Sequence, residues 1–217
     1  EFGRHGRTRV MGRRNQQLLR VDFERAPSHE VLAAKLDEFE RLVDDADAIV
    51  LSDYGKGGLA HVTRMIERGR AHGKPVLVDP KGSDYARYRG ATLLTPNRGE
   101  FREVAGRWAD EADLARRAQK LRAELDLEAL IVTRSEDGMS LFTASGSRHE
   151  PTRAREVFDV CGAADTVIAS LSVMVAAGAD LPAAMRVANH AAGIVVGKLG
   201  TAVVHREELL ESLADTP

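Results

Sequence analysis

The chain has 217 residues, of which 43% are hydrophobic and 29% are charged, and its formal net charge at pH 7 is −2. This apolar content is sufficient for a buried core and excludes intrinsic disorder as the main state of the chain. The near-neutral charge argues against bulk binding of nucleic acid, and no apolar run reaches the roughly 18 to 20 residues of a membrane-spanning helix. Residues 1–14 are rich in Arg and Gly, unlike a signal peptide, so we expect a soluble cytoplasmic protein.

The single cysteine and the N-terminal arginines add two constraints. Cys161 alone forms neither a disulfide framework nor a Cys-based zinc site, which is consistent with a reducing compartment. Arginine is concentrated in residues 1–25, where it either binds an anion or forms a solvated arm. The chain begins with Glu1 and not with Met, so we expect a processed product or a fragment.

The predicted elements begin with two short strands at 7–11 and 16–23, which form a hairpin. A helix follows, with Ser28 as its N-cap, and ends at about Val43. Short apolar runs at 48–51, 76–78, 91–94 and 130–132 then alternate with helices near 59–72, 98–105 and 110–125. This alternation is typical of a doubly wound, mainly parallel α/β sheet with helices on both faces.

The remainder of the chain departs from this alternation. An antiparallel excursion is predicted at 139–150, followed by helices at 162–177 and 181–196. Both helices are rich in Ala, Val and Gly almost all round, which predicts that they are buried. Leu209 and Leu210 lie in a short terminal helix, and no repeat or linker interrupts the sheet.

Polar or charged residues follow each of the four apolar runs, at 52–57, 79–82, 95–97 and 133–135. In an open parallel sheet, ligands bind beyond the carboxyl ends of the strands, because loops and helix N-termini meet there. The sequence therefore predicts a functional cleft at this edge. The side chains expected to line it are Asp53, Lys56, Asp79, Lys81, Asn97 and Thr133.

A second candidate feature is the small-residue stretch Gly162, Ala163 and Ala164, which opens a helix and is followed by Asp165. Exposed amides and the helix dipole form an anion site there, and small side chains let a phosphate approach. Asp165 has two interpretations: it offsets the dipole, or it is a general base that accepts a proton from a hydroxyl attacking a phosphate.

Asn97 and Glu100 have a similar ambiguity. At helical N-cap and N3 positions they form a capping box, whereas as oxygen ligands they hold a hydrated Mg²⁺ ion. The sequence contains neither a P-loop nor a G-x-G-x-x-G fingerprint, and its histidines lack the spacing of metal ligands.

The stretch 159–165 resembles the second signature of the ribokinase-like (PfkB) sugar kinases, Asp-x-x-Gly-Ala-Gly-Asp. Further segments resemble the branch of this family that phosphorylates heptose 7-phosphate; they lie at 14–20, 51–57, 79–82, 94–97, 132–135, 138–140 and 196–201. The resemblance covers almost the whole chain. It implies a ribokinase-like fold and transfer of the γ-phosphate of ATP to O-1 of the heptose, for the ADP-heptose of lipopolysaccharide.

The resemblance also implies roles for individual residues. Asp165 would be the catalytic base, and the amides of Gly162, Ala163 and Ala164 would stabilise the transferred phosphoryl group. Asn97 and Glu100 would belong to the Mg²⁺ and phosphate motif. The other implied contacts are to the nucleotide loop at Thr133, Ser135 and Gly138, the adenine pocket at Asn189 and Gly200, and phosphates at Lys56 and Lys81.

At the level of domains, residues 1–25 resemble strands of a lid that covers the sugar and often forms a homodimer contact, and 26–217 resemble the C-terminal part of the kinase core. The family's N-terminal βαβ units and its Gly-Gly sugar signature are not found in the chain. We therefore expect an uncovered sheet edge and an incomplete sugar site. No nucleotidyltransferase segment is found either, so the expectation is a single-function kinase that binds ATP, Mg²⁺ and a sugar phosphate.

Two positions depart from the family pattern. Ala164 replaces a family glycine, so its Cβ either crowds the γ-phosphate or, at positive φ, strains the backbone by roughly 1 kcal/mol or more. We therefore predict impaired turnover with nucleotide binding partly retained. Cys161 replaces the usual Thr or Ser. Two alternative functions remain: another ribokinase-like sugar or nucleoside kinase, and a nucleotide-binding protein with weakened catalysis.

Overall fold

The computed structural model describes residues 6–11, 17–23, 26–154, 160, 162–200 and 202–214. The strands of this part of the chain are β1 (Gly6–Met11), β2 (Gln17–Phe23), β3 (Ile49–Ser52), β4 (Val76–Asp79), β5 (Leu93–Leu94), β6 (Ala129–Thr133), β7 (Met139–Thr143) and β8 (Gly146–Glu150). Its helices are α1 (His29–Leu42), α2 (Val62–Ala71), α3 (Arg98–Ala105), α4 (Glu111–Glu124), α5 (Ala163–Ala176), α6 (Leu181–Val196) and α7 (Arg206–Ala214).

A six-stranded sheet forms the centre of the fold, and its strands follow chain order from β3 to β8. The first four strands are parallel, and β7 and β8 add to them in antiparallel fashion. The predicted α/β class and the antiparallel excursion at 139–150 are therefore confirmed. Within the described ranges β3 is an edge strand, as expected for an uncovered sheet edge, and β1 pairs with β2 in a separate two-stranded sheet.

Side-chain caps explain where most of the helices begin. Ser28 Oγ accepts from the amide of Val31 at the start of α1, and Asp180 caps α6 in the same way. Such an acceptor satisfies one of the amides that lack a partner inside the helix. Because these capping residues can be read from the sequence, the predicted helices agree with the observed ones to within a few residues at each end.

The core has two halves, one on each face of the sheet. Val76 and Val78 of β4 point to the face covered by α1 to α4, whereas Leu77 points to the face covered by α5 and α6. Both faces are buried, which accounts for the near-continuous apolar runs of the central strands. The sheet is thereby a rigid support for the loops at its carboxyl edge.

The prediction that α5 and α6 are buried holds for most of α6, where Arg186 is exposed, and fails for one side of α5. Five residues of α6 have no exposed surface at all: Ala184, Met185, Ala188, Ala191 and Val195. In α5, by contrast, Val173 is 67% exposed, and Ala169 is exposed too. The prediction for α5 was wrong because small apolar side chains fit a buried face without requiring one, and α5 packs against the sheet and α6 on one side only. Among the described residues, none of the helices combines the length and the apolar character needed to span a bilayer.

Candidate active site

The loops at the carboxyl ends of β3, β4 and β5 meet the N-termini of α3 and α5. Lys81, after β4, places its Nζ 2.8 Å from Oε1 of Glu100 in α3. Tyr54, after β3, donates from its Oη to Oδ1 of Asp165 in α5 at 2.8 Å. The amide of Thr133, at the end of β6, donates to the carbonyl of Pro96 at 3.0 Å. The strand-end rule thus brings these predicted residues to one edge of the sheet.

The N-terminus of α5 is open. Its N-cap, Gly162, has left-handed backbone angles (φ 80°, ψ 0°), and no side chain caps the helix. The first intrahelical bond runs from the amide of Thr166 to the carbonyl of Gly162 at 2.9 Å. Asp165 lies in the first turn and is exposed. The amide of Ala163 donates to the carbonyl of Val160 at 3.3 Å, and no side chain in the described part of the chain caps the amides that follow, which are available to an anion beside a carboxylate.

Ala164 lies inside the first turn of α5 and is not among the non-glycine residues with positive φ. This finding removes one of the two costs predicted for the substitution, since a helical alanine is not strained. Its methyl group is exposed in the turn that precedes Asp165. The remaining cost is therefore steric, against a group that approaches the amides.

Tyr54 forms a hydrogen bond with Asp165 from the other side of the cleft. The Ser52 hydroxyl lowers the pKa of the Tyr54 phenol, but the hydrogen bond to Asp165, burial and the charges of Asp165 and Asp79 together raise it. The phenol therefore stays protonated and donates to the carboxylate. Sequence reasoning located the loop of Tyr54 but did not identify this role.

Behind Tyr54, a buried network fixes the loop that follows β3. Asp53 is only 6% exposed, and its Oδ1 accepts from the amide of Gly55 at 2.8 Å. Its Oδ2 accepts from Tyr88 Oη at 2.8 Å, with Arg87 Nη1 at 3.7 Å. Tyr88 belongs to a 3₁₀ turn at Tyr85–Tyr88, and no local pattern connects it with Asp53.

Asp79, the last residue of β4, is a titratable group that the sequence placed at the cleft without a role. Burial raises its pKa to about 7, with further contributions from the charges of Glu100 and Asp165. Lys81 and a hydrogen bond from Thr95 act in the opposite direction but are outweighed. The carboxyl group of Asp79 is thus coupled to two other carboxylates and to Lys81.

The capping box predicted at the start of α3 is present. Asn97 Oδ1 accepts from the amide of Glu100, and Glu100 Oε2 accepts from the amide of Asn97, both at 3.0 Å. The other oxygen of Glu100 contacts Lys81. Oxygen ligands suit Mg²⁺, but all of these oxygens already have partners, and the described residues hold no group of three or more acidic, His or Cys side chains arranged around a metal. The residues present do not fit a Mg²⁺ ion held by the protein alone.

The candidate nucleotide loop after β6 has two unusual backbone positions. Ser135 has a φ of 53°, which is rare for a residue with a side chain. Gly138 has a φ of 85°, and a Cβ there would lie 2.6 Å from both the carbonyl carbon of Pro151 and the amide of Thr152. Close packing against the end of β8 therefore requires this glycine. Arg98 holds the same loop by donating to the carbonyl of Arg134 at 2.7 Å and by pairing with Asp137.

The predicted adenine residues lie farther along the chain and differ in exposure. Asn189 is 3% exposed, and its amide donates to the carbonyl of Pro151 at 2.7 Å, which is a structural role. Gly200 is exposed, with a φ of 74°. Lys56, which the sequence analysis assigned to a phosphate contact, is half-buried. Parts of the quoted motifs lie outside the described residues, namely 12–16, Asp159, Cys161 and Thr201.

The family described as "pfkB family carbohydrate kinase" matches residues 8–207. The chain belongs to this family. Among curated relatives of this chain, the D-beta-D-heptose 7-phosphate kinase of Bordetella bronchiseptica is 57% identical over 201 residues, which are 93% of this chain and 64% of the relative. The bifunctional protein HldE of Shewanella amazonensis is 55% identical over 92% of this chain and 42% of that protein. The chain therefore spans less than two thirds of the length of these relatives.

Solved structures show the same fold for this chain. The ribokinase of Arabidopsis thaliana, complexed with ribose and ATP, superposes with a TM-score of 0.78 at 18% identity, over 98% of this chain and 70% of that one. Phosphofructokinase-2 from Escherichia coli in complex with potassium gives 0.74 at 16% identity, over 90% of this chain and 66% of that one. The ribokinase-like fold is thus confirmed.

Proposed function

We propose that the protein is an ATP-dependent sugar kinase that phosphorylates O-1 of D-glycero-β-D-manno-heptose 7-phosphate and so serves ADP-heptose and lipopolysaccharide core synthesis. The observation that carries the proposal is the pairing of an open helix N-terminus with Asp165 in its first turn. Membership of the carbohydrate kinase family and a 57% identical relative named for heptose 7-phosphate support the substrate class.

In the proposed reaction, Asp165 acts as general base. The O-1 hydroxyl of the sugar transfers its proton to the carboxylate while its oxygen forms a bond to the γ-phosphorus of ATP. The bond from that phosphorus to the bridging oxygen breaks, and ADP leaves with the electron pair. The amides at Gly162, Ala163 and Ala164 stabilise the charge on the transferred group.

The other site residues have supporting roles in the proposal. Lys81 and Lys56 meet phosphate groups, and Lys81 already lies beside the carboxylate of Glu100. Thr133, Ser135 and Gly138 shape the nucleotide loop. Mg²⁺ enters with the nucleotide, because it is commonly bound by phosphates, waters and few carboxylates. We further propose a cytoplasmic protein in which residues 1–25 act as lid strands and homodimer contact beside a core at 26–217.

An acceptor panel combined with one substitution tests the proposal. ADP release is measured with MgATP and heptose 7-phosphate, ribose, fructose 6-phosphate or adenosine. We expect heptose 7-phosphate to give the highest kcat/KM, and Asp165→Asn to lower kcat by about 1000-fold. Asp180→Asn is the matched control, because asparagine also caps α6. Preference for another acceptor, or full activity of Asp165→Asn, would contradict the proposal.

The alternative of a nucleotide-binding protein with weak catalysis rests on Ala164. Its exposed methyl group in the first turn of α5 occupies a position that is glycine in the family pattern. Measurable affinity for MgATP in calorimetry, without acceptor-dependent ADP release for any sugar, would favour this alternative.

A further inference from the structure

The hydrogen bond between Tyr54 and Asp165 connects two parts of the chain that are 111 residues apart. Tyr54 is 58% exposed, so it is not an anchor of the hydrophobic core. Its Oη nevertheless lies 2.8 Å from Oδ1 of Asp165, which is a normal hydrogen-bonding distance. The side chain therefore has its polar end at the cleft and makes its specific contact there.

We propose that Tyr54 is a positioning residue that holds Oδ1 of Asp165 and thereby directs Oδ2 toward the hydroxyl of the sugar. This inference rests on the proposed role of Asp165 as general base. A carboxylate on a short side chain rotates about its last bond, and only one of its oxygens accepts the proton. A donor fixed on one oxygen selects the orientation in which the other faces the acceptor.

The loop that carries Tyr54 is well suited to this task. Asp53 precedes Tyr54 and is locked by the amide of Gly55 and the phenol of Tyr88. Its own amide donates to the carbonyl of Asp79 at 2.9 Å, which continues the pairing of β3 with β4. A positioning group needs a rigid mount, since small displacements of a reacting group strongly reduce turnover.

The chemistry of the phenol also suits the role. A tyrosine that stays protonated donates one hydrogen bond and does not itself compete for the proton of the sugar. The charged groups around the pair are Asp79 and Lys81 from the β4 end and Glu100 from α3. Lys81 donates to Glu100, and Asp79, with its pKa of about 7, is only partly ionised at neutral pH, so Tyr54 is the side chain that donates to Asp165.

The first test compares Tyr54→Phe with Tyr85→Phe in steady-state kinetics. Both changes delete one phenol oxygen, but the Tyr85 hydroxyl is buried without a hydrogen-bond partner among the described residues. For Tyr54→Phe we expect kcat to fall about tenfold while KM for the sugar stays within about twofold. We also expect the acidic limb of its pH–rate profile to move to higher pH by about one unit, because the charged carboxylate has lost a donor. Tyr85→Phe should leave both unchanged.

The second test needs no turnover and monitors the ultraviolet absorbance of the phenolates. The chain has 3 tyrosines, and burial raises the pKa of Tyr88 to about 12 and also raises that of Tyr85. Tyr54 is 58% exposed, whereas Tyr85 and Tyr88 are 2% and 0% exposed, so we expect the first phenolate that forms on raising the pH to be that of Tyr54. In Asp165→Asn we expect this first transition to move to lower pH by about half a unit or more, since a neighbouring charge has been removed.

The outcomes separate the two proposals. If Asp165→Asn is inactive but Tyr54→Phe has the kcat and pH profile of the wild type, the positioning role is wrong and the base remains. If Asp165→Asn is as active as the wild type, the proposed function fails, and the positioning role fails with it. An unmoved first tyrosine transition in Asp165→Asn overturns the contact itself. Loss of stability in Tyr54→Phe without the kinetic changes also overturns the positioning role.

Discussion

The N-termini of α3 and α5 lie at the same edge of the sheet, but the first amides of the two helices are capped differently. At α3, Asn97 and Glu100 exchange two hydrogen bonds, and Lys81 takes the remaining oxygen of Glu100. At α5, Gly162 adopts a left-handed conformation, and none of the described side chains caps the helix. The first amides of α3 are thus capped by its own side chains, whereas the N-terminus of α5 presents amides to the cleft.

The difference indicates which terminus is specialised for a ligand. A capping residue typically contributes about 1 kcal/mol to stability, and α5 forgoes this contribution. Its apolar packing compensates, because Val167, Ile168 and Leu171 are buried against the sheet and α6. Helix stability is thus supplied by the side facing the core, which leaves the amides of the first turn for an anion.

Closing the open terminus gives the largest expected effect. In Gly162→Asp, a carboxylate at the N-cap would bind the first-turn amides of α5 and repel the phosphates of ATP. We expect kcat/KM for MgATP to fall about 1000-fold, within the range observed when donors to a transition-state anion are lost. Steady-state kinetics with varied MgATP measures the effect.

The matched control for that change is Gly162→Asn, which has the same shape and tolerates a left-handed backbone but carries no charge. We expect it to lose far less activity than Gly162→Asp. Because asparagine also caps a helix N-terminus, equal losses in the two variants would show that the added negative charge does not explain the result.

The carboxyl group of Asp79 is affected by charges at both helix termini. Burial raises its pKa, and the charges of Glu100 in α3 and Asp165 in α5 raise it further. The folded state keeps a proton that the unfolded chain releases between the ordinary value of 3.8 and about 7. Wild-type stability therefore falls as pH rises through this window. For Asp79→Asn we expect a gain of about 2 kcal/mol over wild type at about pH 8 and none below about pH 4, measured by urea unfolding.

The exposed Asp84 provides the control for this charge change, because Asp84→Asn removes the same charge at the surface of the following loop. A gain that is the same at both pH values in Asp79→Asn, or an equal gain in Asp84→Asn, would contradict the linkage.

Much of this comparison was predictable from the sequence, because it depends on local patterns. The Asn97 to Glu100 spacing predicted the capping box, and the small residues before Asp165 predicted an open helix start. The contact of Tyr54 with Asp165 was not predictable, since it depends on α5 packing beside β3 and β4. The exposed side of α5 was not predicted for a similar reason. Alanine and valine show which faces of a helix can be buried, but only tertiary packing decides which faces are buried.

A smaller effect is expected from restoring the family glycine in the first turn of α5. Because Ala164 is helical, its cost is steric, and Ala164→Gly should raise kcat about tenfold. The control is Ala169→Gly at an exposed position of the same helix, which carries the usual glycine penalty of about 1 kcal/mol without touching the first turn. An unchanged kcat in Ala164→Gly would mean that the methyl group does not crowd the phosphate.

The smallest effect is expected at the closed terminus. Asn97→Ala removes the acceptor for the amide of Glu100, so the free energy of unfolding should fall by about 1 kcal/mol. Asn97→Asp, which keeps a capping oxygen, should restore most of this stability in urea unfolding. If Asn97 only caps α3, neither substitution should change kcat by more than about threefold. A large loss of kcat in Asn97→Ala at preserved stability would instead assign Asn97 to the phosphate or Mg²⁺ site, and α3 would then resemble α5 in serving the ligand.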